Sequence, residues 1–204
     1  MLEPVIACPV CSERLHANDN RWSCTNNHSF DQARYGYLNL LLAQHKKSKA
    51  PGDNLDMVDA RQRLLDSQLY QPISDMLNQW VVDLALSQQE GQAKALHIAD
   101  IGCGEGYYTQ RLQDSLSDHQ IEHRMYGVDI SKDALRRAAR RSKNIDWLVV
   151  AEDAHVTHAG HALDGVLQAH VGVVAEELGV VAVVIAEQAH RHPVFFSVLS
   201  LKEF

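Results

Sequence analysis

The sequence of 204 residues lacks any run of about 20 uncharged apolar residues, so no transmembrane helix is expected. Its first residues, MLEPVIACPVC, lack the basic start and the long apolar stretch of a secretory signal. We therefore expect a cytoplasmic protein with no membrane partner. Basic residues are also few, since 19 Lys and Arg stand against 26 Asp and Glu. The resulting formal net charge of −7 at pH 7 argues weakly against a nucleic-acid partner.

The acidic residues are unevenly distributed, which weakens that argument. Residues 151–204 hold seven acidic and two basic residues and so account for most of the negative charge. By contrast, HKKSK at 45–49 and KDALRRAARRSK at 132–143 are locally basic. Net charge alone does not exclude RNA, although either segment could be a solvated charged face. The four arginines of 132–143 lie on neighbouring faces of one helix, so not all of them can face RNA.

The hydrophobic pattern predicts an α/β fold. Apolar residues recur at helical spacing over 55–87 with an interruption near Pro72, which predicts two helices. Strands are predicted at 93–102, 124–130 and 145–151, helices at 107–118 and 132–143 with the cap Ser131, and, in the tail, a helix near 172–179 and a strand near 180–186. The central alternation of strand and helix is typical of a parallel sheet with right-handed crossovers.

Cysteine is scarce, and three of the four cysteines fall within one short segment. Cys8, Cys11, Cys24 and His28 follow the spacing C-x2-C-x12-C-x3-H. In a reducing compartment this spacing favours a metal over disulfides, and it suits the four ligands of tetrahedral zinc. Because the protein fills all four positions, the zinc is expected to be structural. The alternative is three buried or free cysteines and a surface histidine. A DNA-reading finger is not expected, because no basic helix with base-contacting positions follows Cys24.

A glycine-rich stretch, ADIGCGEGYYT at 99–109, follows a predicted strand directly. Gly102, Gly104 and Gly106 form G-x-G-x-G, which is one residue shorter than the G-x-G-x-x-G of dinucleotide-binding loops. Glycines here let the backbone approach a ligand at the N-terminus of the next helix. The alternative is a plain tight turn between a strand and a helix.

This spacing resembles motif I of the class I S-adenosylmethionine-dependent methyltransferases, whose usual form is D/E-x-G-x-G-x-G. The resemblance makes Asp100 the acid of the motif and implies that the three glycines line the cofactor. In that family the second strand ends in an acid that binds the ribose hydroxyls, and Asp129 in YGVDIS takes this place. As a plain structural residue, Asp129 would be a turn or capping aspartate.

The zinc-ligand segment and the glycine loop occur together with linking residues that resemble the bacterial 23S rRNA guanine-N1 methyltransferase family (RlmA/RrmA type). The segments that carry this resemblance are CPVC (8–11), CTNNHSFDQARYGYLNLL (24–41), QHKKSKAPGD (44–53), ARQRLLDSQLYQPI (60–73) and DIGCGEGYYT (100–109). Together they extend the match over about residues 8–150.

The resemblance implies a Rossmann-like class I methyltransferase core preceded by a small zinc-binding module. It implies that Tyr70, Gly104 and Glu105 contact S-adenosylmethionine; by itself Tyr70 would be a helix-end aromatic packed on the core. The implied reaction transfers the methyl group to N1 of a guanine turned out of a 23S rRNA hairpin. N1 carries a proton, so a base or an enolate-like guanine is needed, but no residue is identified as the base.

The domain organisation follows from these segments. We expect a zinc-binding RNA-recognition module at 1–40, a basic linker with helices at 41–90 and the methyltransferase core at 91–204.

After about residue 150 the sequence departs from the family, and a frameshifted or truncated gene product fits this departure. The further sheet strands are therefore expected to be altered or absent, and methylation slow. His192 aligns poorly with a late cofactor-contacting histidine, and the tail histidines are too irregular for a metal site.

Two other functions stay open. One is a small-molecule methyltransferase, in which a zinc module and a basic linker have no obvious role. The other is a non-catalytic RNA-binding remnant that retains the zinc and cofactor loops. The identity of the guanine and the oligomeric state, including a homodimer, are also open.

Overall fold

The computed structural model describes residues 2–45, 51–89, 96–150, 180–186 and 195–200, with the last two ranges given as backbone strands. Within these ranges, no helix combines the length and the apolar character needed to cross a bilayer. The strands of the described residues form a three-stranded antiparallel sheet and a six-stranded, mainly parallel sheet.

The small sheet consists of β1 (His16–Asn18), β2 (Arg21–Ser23) and β3 (Ser29–Asp31). The large sheet consists of β4 (Tyr37–Asn39), β5 (Leu96–Ile101), β6 (His123–Asp129), β7 (Ile145–Val149), β8 (Val180–Ala186) and β9 (Phe195–Ser200). The helices are α1 (Leu55–Asp66), α2 (Gln71–Gln89), α3 (Tyr107–Asp118) and α4 (Lys132–Arg141).

Local capping explains where the helices begin. The side chain of Asn54 accepts a hydrogen bond from the backbone N–H of Met57 at 3.0 Å, which caps α1. Ser131 caps α4 in the same way, accepting from Ala134 at 3.2 Å, as predicted. Pro72 occupies the first turn of α2, where a missing N–H costs little, so the predicted interruption is the start of the second helix.

The large sheet has the strand order β4–β7–β6–β5–β8–β9, and every neighbouring pair is parallel except β8 and β9. The predicted α/β fold is confirmed, and the tail strand near 180–186 is β8 beside β5. The tail helix near 172–179, His192 and the other tail histidines lie outside the described residues. The sheet thus continues beyond β5 in a region where altered or missing strands are expected from the sequence.

One edge of the large sheet, β4, is not apparent from the sequence. It pairs in parallel with β7, and Tyr37 lies opposite Trp147. A turn precedes β4, in which Gly36 has a φ of 105° and the N–H of Ala33 donates to the carbonyl of Tyr37 at 2.8 Å. The metal-ligand segment therefore runs directly into the sheet.

The two faces of the large sheet are covered by different parts of the chain. Side chains alternate between the faces along each strand. Trp147 and Val149 pack in a core with α2, α3 and α4, whereas Leu148 and Val150 pack in a second core. The N-terminal residues of that second core are Val5, Ile6, Cys8, Leu15, Trp22 and Cys24. The N-terminal module (residues 5–36) therefore covers one face of the sheet.

A buried chain of hydrogen bonds joins the N-terminal module to the sheet. The hydroxyl of Tyr126 on β6 accepts from the backbone N–H of Val5 at 3.1 Å and lies 2.9 Å from Nδ1 of His97 on β5. Burial, together with the charges of the nearby Arg124 and Arg14, lowers the pKa of His97 to about 4. The ring is therefore neutral at pH 7, and Nδ1 can accept a hydrogen bond from the Tyr126 hydroxyl.

Candidate metal centre and cofactor loop

The structure brings the four expected metal ligands together. One ligand atom from each of Cys8, Cys11, Cys24 and His28 lies within 4.8 Å of the others. Nδ1 of His28 is 3.3 Å from Sγ of Cys11 and 3.5 Å from Sγ of Cys24, and the two sulfurs are 3.6 Å apart. Zinc bonds of about 2.0–2.3 Å in a tetrahedron place ligand atoms about 3.3–3.8 Å apart, so the arrangement fits zinc.

Two tight turns present these ligands. The carbonyl of Cys8 accepts from the N–H of Ser12 at 2.8 Å, and the carbonyl of Cys24 accepts from the N–H of Asn27 at 3.0 Å. Ser12 and Asn27 have φ values of 61° and 62°, in the left-handed region that asparagine enters more readily than most residues. The backbone thus closes both turns without the metal, and the metal would connect them.

The glycine loop lies between β5 and α3, as predicted. Gly102, Gly104 and Gly106 have φ values of 79°, 56° and 83°, which explains why all three positions favour glycine. The backbone N–H groups of Gly102 and Cys103 both donate to the carbonyl of Val128, at 2.8 and 3.0 Å. These bonds hold the loop against the end of β6.

Gly104 and Gly106 have different surroundings. A Cβ at Gly106 would lie 2.7 Å from Cη2 of Trp147 and 3.1 Å from Cβ of Ala138, so a side chain there would clash with the core. A Cβ at Gly104 would meet nothing closer than a guanidinium nitrogen of Arg61 at 3.9 Å. Gly106 therefore allows packing, whereas Gly104 leaves room for a ligand against the backbone.

Asp129 stands directly at this loop. One carboxylate oxygen accepts from the N–H of Gly104 at 2.9 Å, and the other accepts from the N–H of Ser131 at 2.7 Å. Burial raises the pKa of Asp129, and these two N–H donors oppose the shift. A carboxylate has about four acceptor positions, so Asp129 retains capacity for two further hydroxyl donors.

Asp100 is almost completely buried at the end of β5, with 1% of its surface exposed. One carboxylate oxygen accepts from the hydroxyl of Thr109 at 2.5 Å, while the other has no hydrogen-bond partner among the described residues. Burial, with a smaller contribution from the charge of Asp129, raises the pKa of Asp100 to about 7, although the hydrogen bond from Thr109 opposes the shift. An unsatisfied buried acceptor of this kind suits a donor or a cation.

Glu105 lies inside the loop and forms a buried ion pair. Its Oε2 accepts from Nε of Arg141 at 2.5 Å, and Arg141 also donates to Asp66 on α1 at 2.9 Å. Burial raises the pKa of Glu105, and the charge of Arg141 opposes this. Oε1 of Glu105 has no partner among the described residues, so it is the oxygen that remains for a ligand.

Tyr70 ends the turn between α1 and α2, and its carbonyl accepts from the N–H of Ser74 at 3.1 Å. The hydrogen bonds of the described residues do not join its side chain to the glycine loop. Its role as a cofactor contact stays a prediction.

Two residues at the glycine loop are not predicted from the sequence. Arg61 on α1 forms an ion pair with Asp53 and reaches the open side of Gly104. The carbonyl of Asp53 accepts from the hydroxyl of Ser131 at 2.7 Å, so the linker lies against the end of β6. Both residues fall within segments that carry the family resemblance, but no spacing signal distinguishes them.

Two family models match this chain. The first is described as RlmA, N-terminal, a zinc ribbon, and matches residues 6–49; the second is described as a methyltransferase domain and matches residues 67–189. The second match covers more than half of the chain, so the chain belongs to the methyltransferase-domain family and begins with an RlmA-type zinc ribbon. The predicted order of a zinc module ahead of a methyltransferase core is confirmed.

The sequence is also similar to named proteins. It is 36% identical over 135 residues to the 23S rRNA (guanine(748)-N(1))-methyltransferase of Streptomyces fradiae, covering 66% of this chain and 44% of that protein. The chain spans about half the length, 44–48%, of the curated relatives that it matches. The structure of the plantazolicin methyltransferase BpumL in complex with SAH shares 15% identity at a TM-score of 0.39, covering 62% of this chain and 54% of that one. That structural likeness is too low to bear on the ligand.

Proposed function

We propose that this chain carries the zinc ribbon and the cofactor-binding core of an S-adenosylmethionine-dependent methyltransferase that acts on N1 of a guanine in 23S rRNA. The observation that carries the proposal is the contact between Asp129 and the backbone N–H of Gly104. It places an acid at the end of the second core strand directly against the glycine loop. The guanine and the rRNA come from the name of the Streptomyces fradiae relative.

The charges around the loop favour this cofactor over a dinucleotide. Asp100, Glu105 and Asp129 are three carboxylates at one loop, and burial raises the pKa of each. A pyrophosphate would add two negative charges to this site, whereas S-adenosylmethionine, with a sulfonium, an ammonium and one carboxylate, has a net positive charge. Asp129 has acceptor positions for the ribose hydroxyls, and Asp100 has one unpartnered oxygen for a donor.

When bound, S-adenosylmethionine supplies the electrophilic methyl group, and the chain contributes binding and orientation. The glycines let the cofactor lie on the backbone, and Gly104 leaves the space for it. Much of the rate enhancement would come from holding guanine N1 in line with the methyl group. The four-ligand centre of Cys8, Cys11, Cys24 and His28 would hold a structural zinc, because no coordination position is open to substrate.

A methyl-transfer assay tests the proposal. Tritiated S-adenosylmethionine is supplied with 23S rRNA from a strain that lacks the modification, and the labelled nucleoside is identified by mass spectrometry. We expect N1-methylguanosine with the natural chain and none with Gly104→Val, whose side chain fills the ligand space. Binding of S-adenosylhomocysteine, measured by calorimetry, should fall in parallel.

Gly36→Val is the matched control, because Gly36 also has a positive φ but lies in the turn before β4. It should retain S-adenosylhomocysteine binding. Tighter binding of NADH than of S-adenosylhomocysteine would contradict the cofactor assignment. Cofactor binding without transfer to rRNA would favour the non-catalytic remnant, and a label on a small molecule would favour the other enzyme.

A further inference from the structure

The arginines of α4 fall into two sets with different partners. Arg137 pairs with Asp59 and donates to Oε1 of Gln62 at 2.9 Å, so it connects α4 to α1. Arg141 pairs with Glu105 and Asp66, as described above. These two side chains are committed to acidic or polar groups of the core. Arg136 and Arg140 instead face the N-terminal module.

Arg136 and Arg140 meet the zinc ribbon at the ring of Tyr35. The guanidinium carbons of Arg34, Arg136 and Arg140 lie 4.6, 5.4 and 5.6 Å from the ring centroid. Nζ of Lys143 donates to the carbonyl of Tyr35 at 3.2 Å. We call Arg34, Tyr35, Arg136, Arg140 and Lys143 the basic patch, and it contains residues from both the ribbon and the core.

The basic patch has little acidic compensation within the described part of the chain. Among the described residues, the basic patch forms one ion pair, between Arg136 and Asp133 at 2.9 Å. The side chains of Arg34, Arg140 and Lys143 are exposed. The hydrogen bond from Arg34 lowers the pKa of Tyr35, and the charges of Arg136 and Arg140 lower it further. A cluster of four cations is a local exception in a chain whose net charge is −7.

We propose that the basic patch binds the phosphate backbone of the RNA substrate across the joint between the zinc ribbon and the methyltransferase core. This inference rests on the proposed function. Guanidinium groups match phosphate oxygens with two parallel donors, and the Tyr35 ring holds three of them in place before binding. The N–H of Ser131 donates to Asp129 at the glycine loop. Because an α-helix rises about 1.5 Å per residue, Arg140 lies about 14 Å from Ser131 along α4.

The composition of the basic patch favours RNA over an acidic protein. The centre of a protein–protein interface is usually apolar and aromatic, with few charges. The large apolar side chains that are exposed in the described residues include Leu69, Met76 and Trp80, and none of them belongs to the basic patch. A surface of four cations around one ring is instead suited to a chain of phosphates.

The test compares two double variants that remove the same charge. Arg34→Gln/Arg140→Gln alters the basic patch, and Arg21→Gln/Arg63→Gln removes two exposed arginines elsewhere on the chain. Fluorescence anisotropy measures binding of the zinc-loaded full chain to a labelled 23S rRNA transcript that contains guanine 748, over a series of salt concentrations. Zinc content and calorimetric binding of S-adenosylhomocysteine report on folding.

Each lost phosphate contact reduces the slope of log affinity against log salt by about 0.7–0.9. We expect the basic-patch variant to lose about 1.4–1.8 in slope and roughly tenfold in affinity. The control variant should stay within about twofold of the natural chain, and both variants should retain zinc and S-adenosylhomocysteine binding.

Three results would overturn the proposal. The first is an equal loss of RNA affinity in the two variants, and the second is no binding of the transcript by the natural chain. The third is a basic-patch variant with an unchanged salt slope for RNA but lost binding to polyglutamate, measured by the same anisotropy method. The last result would assign the basic patch to an acidic protein. Binding that depends on the basic patch without methyl transfer would contradict only the proposed function, so the two failures are distinguishable.

Discussion

In the zinc ribbon the strands β1 to β3 are three residues long and mostly exposed, whereas β5 to β7 have five to seven residues and are mostly buried. The ribbon strands bury little apolar surface among themselves, so we expect the metal ligands to stabilise the ribbon by connecting the turns. The core strands alternate between two packed faces and need no metal. One chain therefore combines two sources of stability, and the two meet at the second core.

Removing zinc should have the largest effect and should separate the two regions. Binding of a structural zinc provides on the order of 10–16 kcal/mol in small zinc domains, and here it would connect the turns at Cys8 and Cys24. After chelation, amide hydrogen exchange should become fast in β1 to β3 and stay slow in β5 to β7. Cys24→Ser should reproduce this loss, with zinc content far below one ion per chain.

Cys103→Ser is the matched control for zinc removal, because Cys103 lies in the glycine loop rather than in the metal cluster. Its zinc content should stay at one ion per chain. Slow exchange in β1 to β3 after complete chelation would show that packing on the sheet, and not the metal, holds the ribbon.

Arg141→Leu should destabilise the core most among single substitutions. It leaves the carboxylate of Glu105, with 2% of its surface exposed, without a counter-charge. Breaking a buried pair in this way costs about 3–5 kcal/mol, which urea unfolding would detect. The double variant Glu105→Gln/Arg141→Leu should recover part of the loss. Arg136→Leu, at a more exposed pair, should cost less than about 1 kcal/mol.

Two substitutions in the glycine loop should have different effects: Gly106→Ala should mainly lower stability, and Gly104→Ala should mainly weaken cofactor binding. Gly106→Ala places a methyl group against Trp147 and should lower the free energy of unfolding by about 2–3 kcal/mol. Gly104→Ala meets no close atom and should cost about 1 kcal/mol from its positive φ. It should weaken S-adenosylhomocysteine binding at least tenfold in calorimetry. Equal losses of stability would contradict this division.

The smallest effect concerns the joint between the two regions. Because the pKa of His97 is about 4 when folded and ordinarily about 6.5, the folded state binds fewer protons at mild acidity. Stability is therefore lost as the pH falls below 6.5, by about 1.5 kcal/mol between pH 6.5 and 5. His97→Gln, which still accepts from Tyr126, should flatten the urea-derived stability profile by that amount. An unchanged profile would show that His97 is not the group responsible.

Periodicity in the sequence predicts the elements of the core because their packing is repetitive. Apolar residues form a nearly continuous run in β7, interrupted by Asp146, and recur every three or four residues in α3 and α4, and Ser131 marks the start of α4. The spacing of four ligands likewise predicts the metal cluster. In both cases the information lies within a short stretch of chain.

Features that depend on distant residues could not be predicted. β4 is three residues long, and its partner β7 lies more than 100 residues further along the chain. Arg61 and Asp53 reach the glycine loop through the packing of α1 and the linker. The four arginines of α4 look alike in sequence, and only the positions of Asp59, Asp66 and Tyr35 divide them into two sets.

The pairing of β4 with β7 also has a consequence for the order of events during synthesis. Tyr37 leaves the ribosome long before Trp147, so the ribbon and its edge strand exist for a time without the sheet that they join. Contacts between such distant positions raise the contact order, and folding slows as the contact order rises. Completion of this edge is therefore expected to be a late and slow step, and until then the apolar side chains of the ribbon remain available to chaperones.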